Sequence, residues 1–168
     1  MRISLLSVSL LAIALLSSAA LAPVSHAQSS DNDSSVAQLD DDGLKLMLTN
    51  LGLEPKPLSK GFLIAIKQGT WTVNIQVVLS GDKSKLGLNA NLGKVDDPDS
   101  VTAAQWKSLL ISNQDIDPSS FYFSDTAKKL YLHRVLDNRA VTPPYLKHQI
   151  DEFTNNIVKT SDLWKFTK

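Results

Sequence analysis

His148, Asp151 and Glu152 fall close together in "TPPYLKHQIDEF", residues Thr142 to Phe153. These are side chains that bind metals and move protons. His148 and Glu152 are four apart, so on a helix they could share a divalent cation, but a working site needs a third ligand. The same stretch has a second explanation. Thr142 is an N-cap candidate, and Pro143 suits a first helical turn, where its missing N–H would have no partner. Leu146, Ile150, Phe153 and Ile157 then follow at helical spacing, within about 60° of one another at 100° per residue. His148, Asp151 and Glu152 project about 140° to 240° from Leu146. Burying four such apolar side chains contributes about 6–12 kcal/mol before entropy, which accounts for the periodicity without a site. The imidazole and carboxylates are therefore expected on the wet side of a helix.

Other candidate chemistry is sparse. His133 and Asp137 sit in and after a strand-like run, with no serine in a nucleophile-elbow setting to complete a triad. No G-x-G-x-x-G, P-loop or H-E-x-x-H occurs, and "GDKSKLG" lacks the P-loop spacing. Counted as a calcium loop from Asp31, the positions that demand Gly and Glu hold Val36 and Asp42. Asp96, Asp97 and Asp99 surround Pro98 and read as turn and cap chemistry. No pair of carboxylates is placed for glycoside hydrolysis. There is no cysteine, which excludes a lipobox-type anchor, disulfides and thiolate chemistry. The expectation is no catalytic residue, no metal and no cofactor.

The elements that would position these residues can be read in order. "LDDDGLKLMLTNLGLEPKP" begins the fold, with Asp40, Asp41 and Asp42 at a helix start. Leu44, Met47, Leu48 and Leu51 recur at helical spacing before Gly52 and Pro55 stop it. Three runs then alternate with period two: "GFLIAIKQG", "TWTVNIQVVLSG" and "SKLGLNANLGKV". They predict antiparallel strands with one covered face, carrying Phe62, Ile64, Trp71, Val73, Ile75, Leu86, Leu88 and Leu92. Asn74, Gln76, Asn89 and Asn91 share the other face, as a ligand patch or as a solvated sheet surface. A short helix follows, entered at Pro98 and Ser100 or Thr102 and carrying Trp106, Leu109 and Leu110. "SFYFSD" and "KKLYLHRVLDN" predict two more strands, and the stretch from Thr142 is the last helix. Trp106 reads either as core or as the wall of a groove or dimer contact, because Trp is enriched at both.

The N-terminus carries an address. Met1-Arg2, the apolar run Ile3 to Leu16, and the small residues of "SSAALAPVSHA" have the layout of a secretory signal peptide. Cleavage is expected after Ala27, with an uncleaved anchor over Ile3 to Leu21 as the rival. Residues 28–38 are polar and read as a flexible lead-in. Residues 39–168 then form a single α+β domain. A mature chain of about 140 residues can bury roughly two-thirds of its unfolded surface. With 17 basic and 17 acidic side chains in all, no basic excess exists for phosphates, so nucleic acid is not an expected partner. No stable membrane anchor is expected after cleavage.

The order helix, three strands, helix, two strands, helix is α+β with an antiparallel sheet packed with helices. With "LKLMLTNLGLEPK", "FYFSDTAKKLYLHRVLDN" and "VTPPYLKHQIDEFTNNI" as its carriers, the chain resembles the type III secretion chaperone-like fold. Within it, the chain resembles the YbjN-type families of bacterial sensory-transduction regulators, over about Leu39 to Val158. The resemblance implies a non-enzymatic, often homodimeric module that binds a peptide or protein. It implies that the helix between the strand groups, with Trp106, Leu109 and Leu110, contributes to the partner or dimer contact. On that footing Trp106→Ala should weaken association and leave the fold intact; a loss of stability would favour the core reading. The export signal and near-neutral charge depart from the cytosolic, acidic secretion chaperones. The function expected is an exported, periplasmic or secreted, chaperone-like and regulatory binding module. The alternatives are an envelope enzyme or enzyme inhibitor, in which His133, His148 or the Asp96–Asp99 group converge, and a small-molecule or lipid carrier with an internal apolar cavity.

Overall fold

The structure, a computed structural model, describes residues 38–168. The expected signal peptide, the anchor that rivals it and most of the lead-in lie outside the described residues. No helix among the described residues is long and apolar enough to cross a membrane.

Helix α1 spans Asp41–Asn50, and the Asp40 carboxylate accepts from the Gly43 N–H at 2.8 Å to cap it. Leu44 and Leu48 are its buried residues. Gly52 follows at φ 75°, the left-handed stop that the glycine signalled. A two-residue strand, β1 (Lys56–Pro57), comes next and was not expected; its proline suits an edge, where no ladder N–H is needed. The expected three strands are β2 (Phe62–Gln68), β3 (Trp71–Leu79) and β4 (Lys85–Lys94). Gly61 precedes β2 at φ 70°, and any Cβ there would lie 2.1 Å from the Val77 carbonyl oxygen, so only glycine fits the approach.

A short 3-10 helix, Pro98–Ser100, leads into α2 (Ala103–Ser112). Of the two caps considered, Thr102 is the one used, in a reciprocal capping box with Gln105. Strands β5 (Ser119–Ser124) and β6 (Lys129–Asp137) form a hairpin, and α3 (Pro143–Lys159) ends the expected series. A 3-10 helix, Ser161–Trp164, and a terminal segment follow. The segment pairs with β4: Lys94 N–H donates to the Lys168 carbonyl and Lys168 N–H to the Lys94 carbonyl, at 2.8 and 2.9 Å.

All strands join one antiparallel sheet in the order β1-β2-β3-β4-β6-β5. One face packs under the helices and carries Phe62, Ile64, Val73, Ile75, Val77, Leu86, Leu88, Leu130 and Leu132. Leu146, Ile150, Phe153 and Ile157 of α3 meet it, all buried as their spacing predicts. Two expectations shift in detail. The alternation in β4 breaks at a register change between Asn91 and Gly93, so Leu92 is only half-buried. Trp71, expected on the covered face with Val73 and Ile75, lies at the strand's start and is 38 % exposed. Asn138 is buried after β6, and its amide donates to the carbonyls of Leu39 and Lys83, both at 2.8 Å. That amide ties the entry of the domain to the β3–β4 turn.

Candidate functional site

The three residues that opened the question go to different places. Asp151 pairs with Lys147 on the outside of α3, at 2.6 Å. Glu152 does not stay wholly on the wet side. Its helical position is about 100° from Phe153, at the margin of the apolar stripe. From there its Oε2 accepts from Arg134 Nη1 at 3.0 Å. Arg134 points into the core side of β6 and is 1 % exposed. Its Nε donates to Ser119 Oγ at 2.9 Å, and Nη1 also donates to Gln149 Oε1 at 2.8 Å. A buried guanidinium must be paired to be tolerated, and two elements supply its three acceptors, β5 through Ser119 and α3 through Gln149 and Glu152. His148 Nε2 stands 3.6 Å from Glu152 Oε1, on the exposed rim of this cluster. The stretch is thus a clamp between α3 and the β5–β6 hairpin.

The other candidate chemistry also disperses. His133 is on the open face of the sheet, its Nδ1 2.7 Å from Asn89 Oδ1 across the β4–β6 register. Burial pushes the His133 imidazole below its ordinary pKa. Tyr122 and Tyr131 stack beside it with ring centroids 5.0 Å apart. Burial, and then the neighbouring Tyr131, push the Tyr122 phenol up. Asp137 meets Arg139 and Lys85 rather than His133. Asp97 caps the 3-10 helix, and Asp96 is held at about 2 by hydrogen bonds from Lys168 and Lys94. His133, His148 and the Asp96–Asp99 group have separate partners on separate elements. Among the described residues no three His, Asp or Glu side chains are grouped to hold a metal ion.

Trp106, Leu109 and Leu110 are brought together. They line a groove of about 350 Å³ between α2 and β5, whose other wall is Phe121, Tyr122, Phe123 and Leu130. Their exposures differ. Leu109 is buried, Trp106 is half-buried, and Leu110 is 67 % exposed. The Trp106 ring lies between Phe123 and Phe166, at centroid distances of 5.5 and 5.7 Å. It therefore packs against the core and presents one side to the groove. Ile111, beside Leu110, is 54 % exposed and was not singled out from the sequence. β5 is an edge strand, paired with β6 alone; on its outer side the Ser119 N–H already donates to the Ile116 carbonyl and the Phe121 N–H to Asn113 Oδ1, both at 2.8 Å, so the open part of the edge lies beyond Phe121. Sequence reasoning could have found the aromatic wall from the alternation in "SFYFSD". The free edge depends on strand order, which local pattern does not carry.

No protein-family model matches the chain, and no curated protein matches it by sequence. Solved structures do match by shape. YbjN of E. coli aligns over 74% of this chain and 92% of its own, with 15% identity and a TM-score of 0.57. A chain of the ExsC–ExsE complex aligns over 73% and 91%, with 14% identity and a TM-score of 0.53. A chain of the heterodimeric ExoU–SpcU complex, from the type III secretion system of Pseudomonas aeruginosa, aligns over 71% and 96%, with 16% identity and a TM-score of 0.50. The likeness is one of fold: the α+β, secretion chaperone-like architecture expected from the sequence is the architecture of this chain.

Proposed function

We propose that the protein is an exported, non-catalytic module that binds another protein or a peptide through the groove between α2 and β5, in a chaperone-like, regulatory role. The observation that carries this is the groove itself, with Leu110 exposed on one side and the open end of the β5 edge, beyond Phe121, on the other. Apolar side chains beside a free strand edge offer both desolvation and main-chain hydrogen bonds to an incoming segment. Two of the similar folds, ExsC–ExsE and ExoU–SpcU, are described as complexes with another protein, which supports the reading. A second copy of the chain is one such occupant, which would make the protein a homodimer. Export rests on the N-terminal pattern, and places the protein in the periplasm or the medium. The scatter of His133, His148 and Asp96 onto separate elements supports the non-catalytic part.

A photo-crosslinking amino acid at position 110 tests the reading in the native host. A single adduct, competed by free protein and absent when the probe is at Tyr145 on the outer side of α3, supports the groove. Adducts of equal yield at both positions would sink it. N-terminal sequencing of the exported form checks the address, with Gln28 expected as the first residue.

A further inference from the structure

α2 and α3 are held in the fold by different means. α3 buries five side chains, whereas α2 buries Leu109 and Ser112 and half-buries Trp106. The backbone of α2 is flanked chiefly by the 3-10 helix Ser161–Trp164, not by a strand or another helix. Residues 161–168 link that flank to the sheet. On the α2 side, the Phe166 ring meets Trp106 edge-on at 5.7 Å, and Leu163 and Phe166 share a shallow cleft with Ala104 and Ser108. On the sheet side, Trp164 meets Trp71 of β3 edge-on at 5.9 Å. Lys168 and Lys94 of β4 exchange both main-chain hydrogen bonds, at 2.8 and 2.9 Å. Thr167 Oγ1 lies 2.9 Å from the Leu92 carbonyl oxygen and 2.8 Å from that of Trp164, with one proton to share. The approach to β4 is close, since a Cβ on Gly93 would lie 2.5 Å from Thr167 Oγ1.

This linkage is weak for its length. No residue of the 3-10 helix is buried, and Leu163, Trp164 and Phe166 are half-buried. The Lys168–Asp96 pair, at 2.7 Å, is exposed, so water and salt screen it. Trp164 Nε1 is the one buried side-chain polar atom among the described residues without a hydrogen-bond partner. Docking the segment takes that N–H out of water without a replacement acceptor, and undocking returns it. Units that open below the free energy of global unfolding are those with few buried apolar contacts. The segment and the Trp106 end of α2 share that property, and each leans on the other. The far end of α2 is tied separately, where Asn113 Oδ1 accepts from the Phe121 N–H of β5.

We propose that residues 161–168 are a latch, which holds the Trp106 end of α2 in place and opens together with it as one unit while α3 and the strands stay folded. The bearing on binding rests on the groove proposed above. With the latch docked, Phe166 backs the Trp106 ring that walls the groove. With it undocked, an occupant must first order α2, and its apparent affinity falls with the fraction of docked wall.

Native-state hydrogen exchange of the full chain, read amide by amide as urea is raised, tests the coupling without a partner. The amides of residues 106–110 and those of Lys94, Leu163, Thr167 and Lys168 should share one opening curve, below that of residues 150–157 in α3. Thr167→Val removes the hydroxyl that reaches β4, and should speed exchange at 106–110 by about three- to tenfold with 150–157 unchanged. Phe166→Ala should do so by about tenfold. Separate opening curves in the wild type, residues 106–110 unmoved in both variants, or 150–157 accelerated equally would overturn the latch. Phe166→Ala combined with Thr167→Val should leave residues 106–110 without protection, and the crosslinked adduct from position 110 should fall by at least about threefold. An undiminished adduct from an unprotected α2 would overturn the latch's hold on the groove. No adduct in the wild type would sink the groove instead, and the exchange data would still decide the latch.

Discussion

α3 turns its whole apolar stripe into the sheet, while α2 turns only part of its own. Leu146, Ile150, Phe153 and Ile157 of α3 are all buried, and the residues on its far side are charged or polar. α2 buries Leu109 and Ser112, half-buries Trp106, and holds Leu110 and Ile111 in solvent. Removing water from a leucine or isoleucine is worth about 1.5–3 kcal/mol, and α2 leaves that gain unrealised twice. Single exposed apolar residues are ordinary, as Leu46 on α1 is, but α2 carries two side by side, one of them on the wall of the groove. On the function proposed above, α3 is structural and α2 has surface to offer, so substitutions in the two should fail in different ways.

The largest effect belongs to α3. Phe153→Ala empties a fully buried aromatic site and should lower the unfolding free energy by about 3–5 kcal/mol in urea titrations. A loss below about 1 kcal/mol would show that α3 is not the structural partner of the sheet. One turn of the same helix gives a sharper contrast. Glu152→Ala removes a charged acceptor from the buried Arg134 and should cost about 2 kcal/mol. Asp151→Ala, one residue away, breaks only an exposed pair with Lys147 and should stay within about 0.5 kcal/mol. Equal costs would mean that the Arg134 clamp contributes no more than a surface ion pair.

On α2 the expectation reverses. Leu110→Asp combined with Ile111→Asp should change stability by no more than about 0.5 kcal/mol, since both side chains are exposed. The same pair should abolish the position-specific association proposed for the groove, read by light scattering for a homodimer and by crosslinking for another protein. A destabilised variant with association intact would return α2 to the same class as α3. Trp106→Ala falls between the two helices, because its ring contacts Phe123 and Phe166 on one side and the groove on the other.

The part of this contrast that rests on local pattern was legible in the sequence. The α3 stripe, its Thr142 cap, the covered strand faces and the α2 capping residues are set by spacings within one element, and apart from Trp71 and Leu92 each is where the spacing puts it. The features that need two or three elements at once were not. An arginine in alternation with leucines reads equally well as inward or outward. Its burial depends on Ser119, Gln149 and Glu152, which only the fold brings together. β3 pairs with β4 only from Gln76↔Asn89 to Leu79↔Leu86, and where the two strands part is a matter of register and twist, with no residue type to announce it. The last segment, with Leu163, Trp164 and Phe166, has no period of its own and is held by packing and by two hydrogen bonds to Lys94. Trp106, Leu109 and Leu110 were marked from the sequence as one contact. The fold supplied what the marking lacked, the placing of the aromatic wall against α2 and the open end of the β5 edge.

The smallest expected effect lies on the sheet face that neither helix covers. His133 is held below its ordinary pKa there by burial between Asn89 and the stacked tyrosines. In the unfolded chain the imidazole titrates near about 6.5. Between that value and the lower folded one, the unfolded chain binds more protons, so stability rises with pH. The contribution is complete above about 6.5 and is lost as pH falls through the folded value. Asp82 and Asp96, at about 2, lose theirs only in far stronger acid, so they do not contribute to this window. Urea midpoints measured from about pH 5 to pH 8 should rise in the wild type and rise less in His133→Gln. The variant keeps a polar side chain opposite Asn89 but cannot be protonated. Parallel profiles for the two proteins would assign the slope to another group and leave the open face electrostatically silent, in which case its His–Asn and Tyr–Tyr contacts act through packing alone.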